Sequence, residues 1–288
     1  MDFRSPQIIS FIEKCLAEDI GDGDHSSLAS IPFGTLGTSR IVFKETGILA
    51  GIGLTKTILA VVDPDIELTA YYKDGDSVEK GTVIAEVAGS VHGLLAAERL
   101  LLNFMQRLSA IATQTHHVVE LLAGYHTKVL DTRKTTPGLR LLEKWAVKLG
   151  GGVNHRIGLY DMVMLKDNHV DSAGGIKKAV ENTKQYLLNN HKDLKIEVET
   201  RNLDEVQQAL EVGGVDRIML DNFEPALCLQ AVALIQGKAE TEASGGITLN
   251  NILEYAKTGV DYISLGYLTH SVKALDISMK TKCISISA

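Results

Sequence analysis

The fold is decided by one stretch of chain, Lys128–Gly266, in which short apolar runs recur: KVLDT (128–132), DMVML (161–165), KIEVE (195–199), RIMLD (217–221) and YISLG (262–266), with AETEAS (239–244) as a weaker sixth. Helical patterns lie between them at 139–149, 173–188, 203–212, 224–236 and 248–257. Strand, loop and helix in alternation predict βαβ units and a parallel sheet. With about six repeats over roughly 140 residues, a closed α/β barrel is favoured over an open sheet. Glycines at 150–152, 213–214 and 259 sit just past predicted helix ends, where a left-handed residue is wanted.

Upstream of about residue 125 the pattern is different. An amphipathic stretch, Ile8–Leu16, precedes the turn-rich GDGDHSS, and strand-like runs follow at 39–50 and 66–72. DGDSVEKGTVIAEVAGS (74–90) combines a glycine turn with alternating apolar residues, as in a hairpin-rich small β unit. No Gly or Pro interrupts the segment between Leu94 and Ala123, where leucines recur at helical spacing, predicting one long helix or two in succession.

Bulk properties narrow the function. The chain has 288 residues, 45% hydrophobic, which suits a folded core. No apolar run approaches the roughly 18 residues of a membrane span, and the N-terminus lacks the basic-then-apolar order of a signal peptide. Three scattered cysteines, Cys15, Cys228 and Cys283, form no metal spacing, so a reducing cytoplasm is expected. The net charge of −7 argues against a nucleic-acid surface. Within 128–169, however, eight Lys/Arg face four Asp/Glu, a local +4 that leaves −11 for the remainder. A basic island in an acidic chain acts as a funnel for a small anion; a solvated basic helix face would give the same count.

In a barrel, chemistry collects at the C-terminal ends of the strands, and each candidate strand delivers charge or glycine there: Arg133 and Lys134, then Lys166 to His169, Glu199, Asp221 with Asn222, Gly245 with Gly246, and Gly266. Thr136–Pro137 reads as an N-cap and first helical residue, which would set a positive helix end beside Arg133 and Lys134, a poor arrangement unless an anion lies between them. Glu199 and Asp221 could hold Mg²⁺ or grip hydroxyls, or serve as ion-pair partners. Glu197 is read as facing away from Glu199 and is left out of the site. His155, beside Arg156, is expected to have a lowered proton affinity unless an anion binds between them. Ser244–Gly246 and Ser264–Gly266 place backbone N–H groups where strand meets helix, as in the phosphate sites of many barrels; no P-loop, HExxH or Ser-His-Asp pattern is present.

Taken together, DTRKTTPGLR (131–140), GGGVNHRIGLYD (150–161), LKDNH (165–169), IEVE (196–199), LDNF (220–223), ASGGI (243–247) and SLGYLTHSVKALDIS (264–278) resemble, in order and spacing, the quinolinate phosphoribosyltransferases. EDIGDGD (18–24) and AAERLLLNFMQRLSAIAT (96–113) extend the resemblance over nearly the whole chain. It implies the type II phosphoribosyltransferase fold: an N-terminal α/β open-faced sandwich over 1–115, joined by the tail 270–288, and a seven-stranded α/β barrel over 116–269. It implies transfer of phosphoribose from phosphoribosyl pyrophosphate to quinolinate with decarboxylation, a step of NAD biosynthesis that needs Mg²⁺. By motif, Arg133, His155, Arg156 and Lys166 would bind the dicarboxylate, with Arg99 donated across a homodimer interface. Lys134 would face the pyrophosphate, Glu199 and Asp221 the ribose and metal, and Ser244, Gly245, Gly246, Ser264, Gly266 and His270 the 5-phosphate. Ala110 and Trp145 stand where the family usually has glycine and tyrosine. A pyrophosphorylase of the same fold acting on another base, a non-catalytic phosphate-binding barrel, and a Schiff-base lyase using Lys134 or Lys166 are the competing readings.

Overall fold

The computed structural model describes residues 1–284. The chain forms two compact units, one of Met1–His116 together with the residues from Val272 on, the other His117–Ser271. The last four residues of the expected tail, 285–288, lie outside the described residues.

In the first unit, Ile8, Ile12 and Leu16 recur at four-residue spacing and form the buried face of α1 (Pro6–Ile20). Asp24 then caps the short α2 (His25–Ser30) by accepting the Ser27 N–H at 3.2 Å. Along β1 (Leu36–Phe43) exposed and buried residues alternate, as one covered and one solvated sheet face require. β2 (Gly47–Ile48), α3 (Ile52–Val62), β3 (Glu67–Ala70), β4 (Ser77–Val78), β5 (Val83–Ser90) and the unbroken helix α4 (Val91–Leu121) follow. Within 74–90 the two strands do not pair with each other. Gly81 and Thr82 exchange backbone hydrogen bonds with Phe43, so β5 joins β1 and β3 while β4 turns away to pair with β2. The helix α3 escapes the sequence because it is apolar on most sides, and its cap is distant. Asp74 accepts the N–H groups of Gly51, Ile52 and Gly53 at 2.6, 2.9 and 3.1 Å. Ala110, in the interior of α4 at 4% exposure, favours helix more than the family's glycine would.

The second unit runs β6 (Lys128–Leu130), α5 (Arg140–Leu149), β7 (Val163–Leu165), α6 (Asp167–Ala173), α7 (Ile176–Asn189), β8 (Ile196–Thr200), α8 (Leu203–Val212), β9 (Arg217–Asp221), α9 (Pro225–Ile235), β10 (Glu240–Ser244), α10 (Ile252–Ala256), β11 (Tyr262–Ser264) and α11 (Tyr267–His270). The tail strand β12 (Ile277–Cys283) belongs to the first unit, where it pairs antiparallel with β1 from Gly37↔Cys283 to Phe43↔Ile277. The first unit's main sheet is thus ordered β12-β1-β5-β3.

The second sheet is parallel and six-stranded, ordered β6-β11-β10-β9-β8-β7. Seven strands were expected. The seventh position is a single bridge, Leu130↔Val153, flanked by the Asp131 N–H to Val153 C=O and Val153 N–H to Val129 C=O bonds. The weak candidate AETEAS is a central strand; its Glu242 is fully buried against Arg217 from β9 at 3.1 Å, and that partnered charge masks the apolar signal. The helix expected at Thr136–Pro137 begins instead at Arg140, because Gly138 takes a left-handed φ of 81° that ends any helical run. No helix among the described residues is long and apolar enough to cross a membrane.

Candidate active site

A cleft of about 410 Å³ opens at the C-terminal ends of the second sheet. Arg133 and Lys134, which follow β6, and Lys166, which follows β7, line it together. These two strands are the opposite edges of the sheet, so the sheet curls on itself as a barrel does. Glu199 on β8, Asp221 at the end of β9, Ser244 at the end of β10 with Gly245 just past it, and Ser264 on β11 complete the ring. Gly246, Gly266 and His270 are outside the lining. Gly266 nevertheless packs so closely between Lys134 and His270 that a Cβ would stand 2.9 and 2.8 Å from their side chains. Arg99 is exposed on α4 in the first unit and is not among the lining residues.

Two consecutive residues, His155 and Arg156, reach the cleft from the loop after Val153. A buried ion pair fixes that loop. Asp131, at the end of β6, accepts Lys144 Nζ, the Asn154 side-chain amide at 2.5 Å and the His155 backbone N–H at 2.8 Å. Lys144, on α5, also donates to the His155 carbonyl at 3.0 Å, so the pair grips the backbone on both sides of His155. Burial pushes Asp131 up and Lys144 down in pKa against their mutual attraction.

The expected lowering of His155 is reversed. Burial does oppose the imidazolium, but the carboxylates of Glu197 and Glu242, 3.0 and 3.3 Å from Nε2, outweigh it and push the pKa up to about 9. The Arg156 N–H, directed at Nδ1 from 2.6 Å, works the other way, since an imidazolium has no lone pair there. Glu197 is therefore part of the site. Residues two apart on a strand share a face, so Glu197 points inward with Glu199, at 0% exposure.

On the other wall, Lys166 Nζ donates to Glu199 Oε2 at 2.8 Å. Burial, and then repulsion from Glu199, hold Asp221 above the usual carboxylate range. Asn222, left-handed at φ 56°, donates its side-chain amide to Asp221 at 2.6 Å. Gly245, at φ 90°, lies under it; a Cβ there would sit 2.2 Å from Asn222 Oδ1. Arg133, Lys134 and Arg156 thus line the cleft together with the Lys166–Glu199 pair, Asp221 and backbone-rich turns. The arrangement suits a ligand carrying several anionic groups.

Two family models account for nearly the whole chain: the quinolinate phosphoribosyl transferase N-terminal domain over 24–109 and C-terminal domain over 111–280. The chain belongs to the quinolinate phosphoribosyltransferase family. Among relatives, it is 48% identical over 284 residues to quinolinate phosphoribosyltransferase [decarboxylating] 1b of Nicotiana tabacum, covering 93% of this chain and 81% of that one. It is 44% identical over 274 residues to the probable nicotinate-nucleotide pyrophosphorylase [carboxylating] of Bacillus subtilis, covering 95% and 93%. The crystal structure of NadC from Streptococcus pyogenes matches at a TM-score of 0.93 and 39% identity, covering 99% of this chain and all of that one. As in those structures, the fold of this quinolinate phosphoribosyltransferase family member is the type II phosphoribosyltransferase fold.

Sequence reading missed the supports of the site: Asp131, Lys144, Asn154, Glu197 and Glu242. The signal available was position within the motifs, since Asp131 opens DTRK and Asn154 opens NHR. Lys144 on an amphipathic helix carries no such mark.

Proposed function

We propose that the cleft binds quinolinate beside phosphoribosyl pyrophosphate and joins them with loss of CO₂, giving nicotinate mononucleotide and pyrophosphate. One observation carries this reading. Arg156 is 8% exposed, its Nε is buried without a hydrogen-bond partner, and burial together with the charge of Arg133 depresses its pKa. Two guanidiniums so placed are relieved by an anion, and a dicarboxylate offers each a planar partner. Lys166 adds a third cation, and Lys134 faces the pyrophosphate. The phosphate end is Ser244, Gly245 and Gly246 with Ser264, Gly266 and His270.

The ring nitrogen of quinolinate attacks C1 of the ribose as pyrophosphate leaves. No covalent nucleophile is needed; the side chains orient two anionic reactants and neutralise their repulsion. The ribosylated nitrogen is positive, so it stabilises the carbanion left when the adjacent carboxylate departs as CO₂. The other carboxylate stays on its arginines. The hard oxygens of Glu199 and Asp221 fit Mg²⁺, because a divalent cation would offset the repulsion that raises Asp221. Bound there, Mg²⁺ would neutralise charge on the pyrophosphate. We further propose a homodimer in which Arg99 of the partner subunit completes the dicarboxylate pocket, a role its exposure on α4 leaves open to it. A cytoplasmic setting accords with the free thiols of Cys15, Cys228 and Cys283, although several plant relatives are named mitochondrial or chloroplastic.

The deciding experiment mixes the protein with phosphoribosyl pyrophosphate, Mg²⁺ and carboxyl-labelled quinolinate. Labelled CO₂ released together with nicotinate mononucleotide is expected. Pyrophosphate release only with another base would instead identify a pyrophosphorylase of different specificity, and binding without turnover a non-catalytic barrel.

A further inference from the structure

Around His155, at the floor of the cleft, two carboxylates gather that the proposed chemistry does not use; Glu242 is itself among the lining residues. Glu197 from β8 and Glu242 from β10 are both fully buried and converge on Nε2 of His155. The approach is off the hydrogen-bond axis: Nε2, both Glu197 oxygens and one Glu242 oxygen have no aligned partner. The other Glu242 oxygen accepts Arg217 at 3.1 Å. On the opposite edge of the ring, Nδ1 accepts the Arg156 N–H, so the ring proton belongs on Nε2, facing the carboxylates.

A divalent cation could reach the same three groups, whose ligand atoms lie within 4.8 Å of one another. The charge count opposes it. Arg217 already offsets Glu242, so a double charge in this buried site would exceed the one carboxylate left to meet it.

We infer that Glu197 and Glu242 are positioning residues for the dicarboxylate pocket: they fix the His155 ring from below while Asp131 and Lys144 fix its backbone. This rests on the reading of His155 as a wall of that pocket. Both carboxylates face Nε2 and the Arg156 N–H faces Nδ1, so the ring proton is held on the carboxylate edge and the orientation of the imidazole in the wall is fixed. Because both act through His155, their effect should fall on the dicarboxylate rather than on phosphoribosyl pyrophosphate, although Glu242 itself lines the cleft.

The test is steady-state kinetics on Glu197→Gln, which keeps shape and removes charge. The KM for quinolinate should rise by about tenfold, as for loss of one charged contact, while the KM for phosphoribosyl pyrophosphate stays unchanged. In a His155→Gln background the same substitution should change nothing further. Equal changes in both KM values, no change in a folded Glu197→Gln enzyme, or an undiminished effect without His155 would each overturn the inference. A wild-type enzyme that releases no CO₂ from quinolinate would overturn the proposed function along with it. Where Glu197→Gln does not fold, ¹⁵N-histidine spectra of the wild-type enzyme decide. A proton on Nε2 of His155 is expected, and a free lone pair there overturns the inference.

Discussion

Lys144 and Asp131 form an ion pair from which water is shut out, at 1% and 0% side-chain exposure, and both partners also hold the backbone of His155. Removing one partner strands the other's charge. Lys144→Met should therefore cost about 3–5 kcal/mol of stability, read as a lowered urea midpoint. Lys144→Met combined with Asp131→Asn should be less destabilised than the two single effects summed; strict additivity would show that the pair is not coupled.

Arg133→Ala should leave the far-ultraviolet circular dichroism unchanged and lower kcat/KM for quinolinate by about a hundredfold or more. Arg133→Lys should recover little of it, because a point charge does not reproduce a bidentate grip. Near-normal activity in a folded Arg133→Ala enzyme would remove Arg133 from the pocket.

Gly245→Ala meets two obstacles, a left-handed φ of 90° and the Asn222 side chain 2.2 Å from the new Cβ. Such strain costs on the order of 1–3 kcal/mol, and it falls where the 5-phosphate is proposed to sit. The KM for phosphoribosyl pyrophosphate should rise more than that for quinolinate. The reverse order would move the phosphate site elsewhere.

Chelation with EDTA should abolish turnover, and added Mg²⁺ should restore it. Isothermal titration of Mg²⁺ with pyrophosphate should weaken in Asp221→Asn. Full activity in the chelated enzyme would leave Glu199 and Asp221 to the ribose hydroxyls alone.

Burial pushes the Cys228 thiol up to about 12, and the charge of Glu224 adds to it. An acid whose native pKa lies above its unfolded value gives stability that is complete below the ordinary thiol range, near 9, and is lost as pH rises toward the native value. In the native protein at mildly alkaline pH, iodoacetamide should label the exposed Cys283 and spare Cys228. Mass spectrometry of the peptides checks this.

Much of the second unit is readable in the chain because its signals are local. Asn202 caps α8 and Gly213 ends it, so its bounds follow from neighbouring residues. The cleft residues were readable for a related reason: strand ends are marked by an apolar run meeting a charge. What hid was whatever depends on partners far along the chain. β10 reads as polar until Arg217 is known to meet Glu242, and α3 has no visible start until Asp74 is brought to it. Glu197 was set aside although strand geometry places it with Glu199. Two carboxylates on one interior face look untenable until His155 and Arg217 are found beside them.

The single bridge at Val153 has one more consequence. A residue in a ladder must alternate with its neighbours, so a strand can send only every second side chain to one face. Beyond that bridge the chain owes nothing to the sheet. His155 and Arg156, adjacent in sequence, can therefore both turn toward the cleft, which no true seventh strand would allow. The imperfect stave in the barrel is what lets two neighbours, His155 and Arg156, share one wall of the cleft. Regularising it into a full strand would strengthen the sheet and turn one of the two away from the cleft.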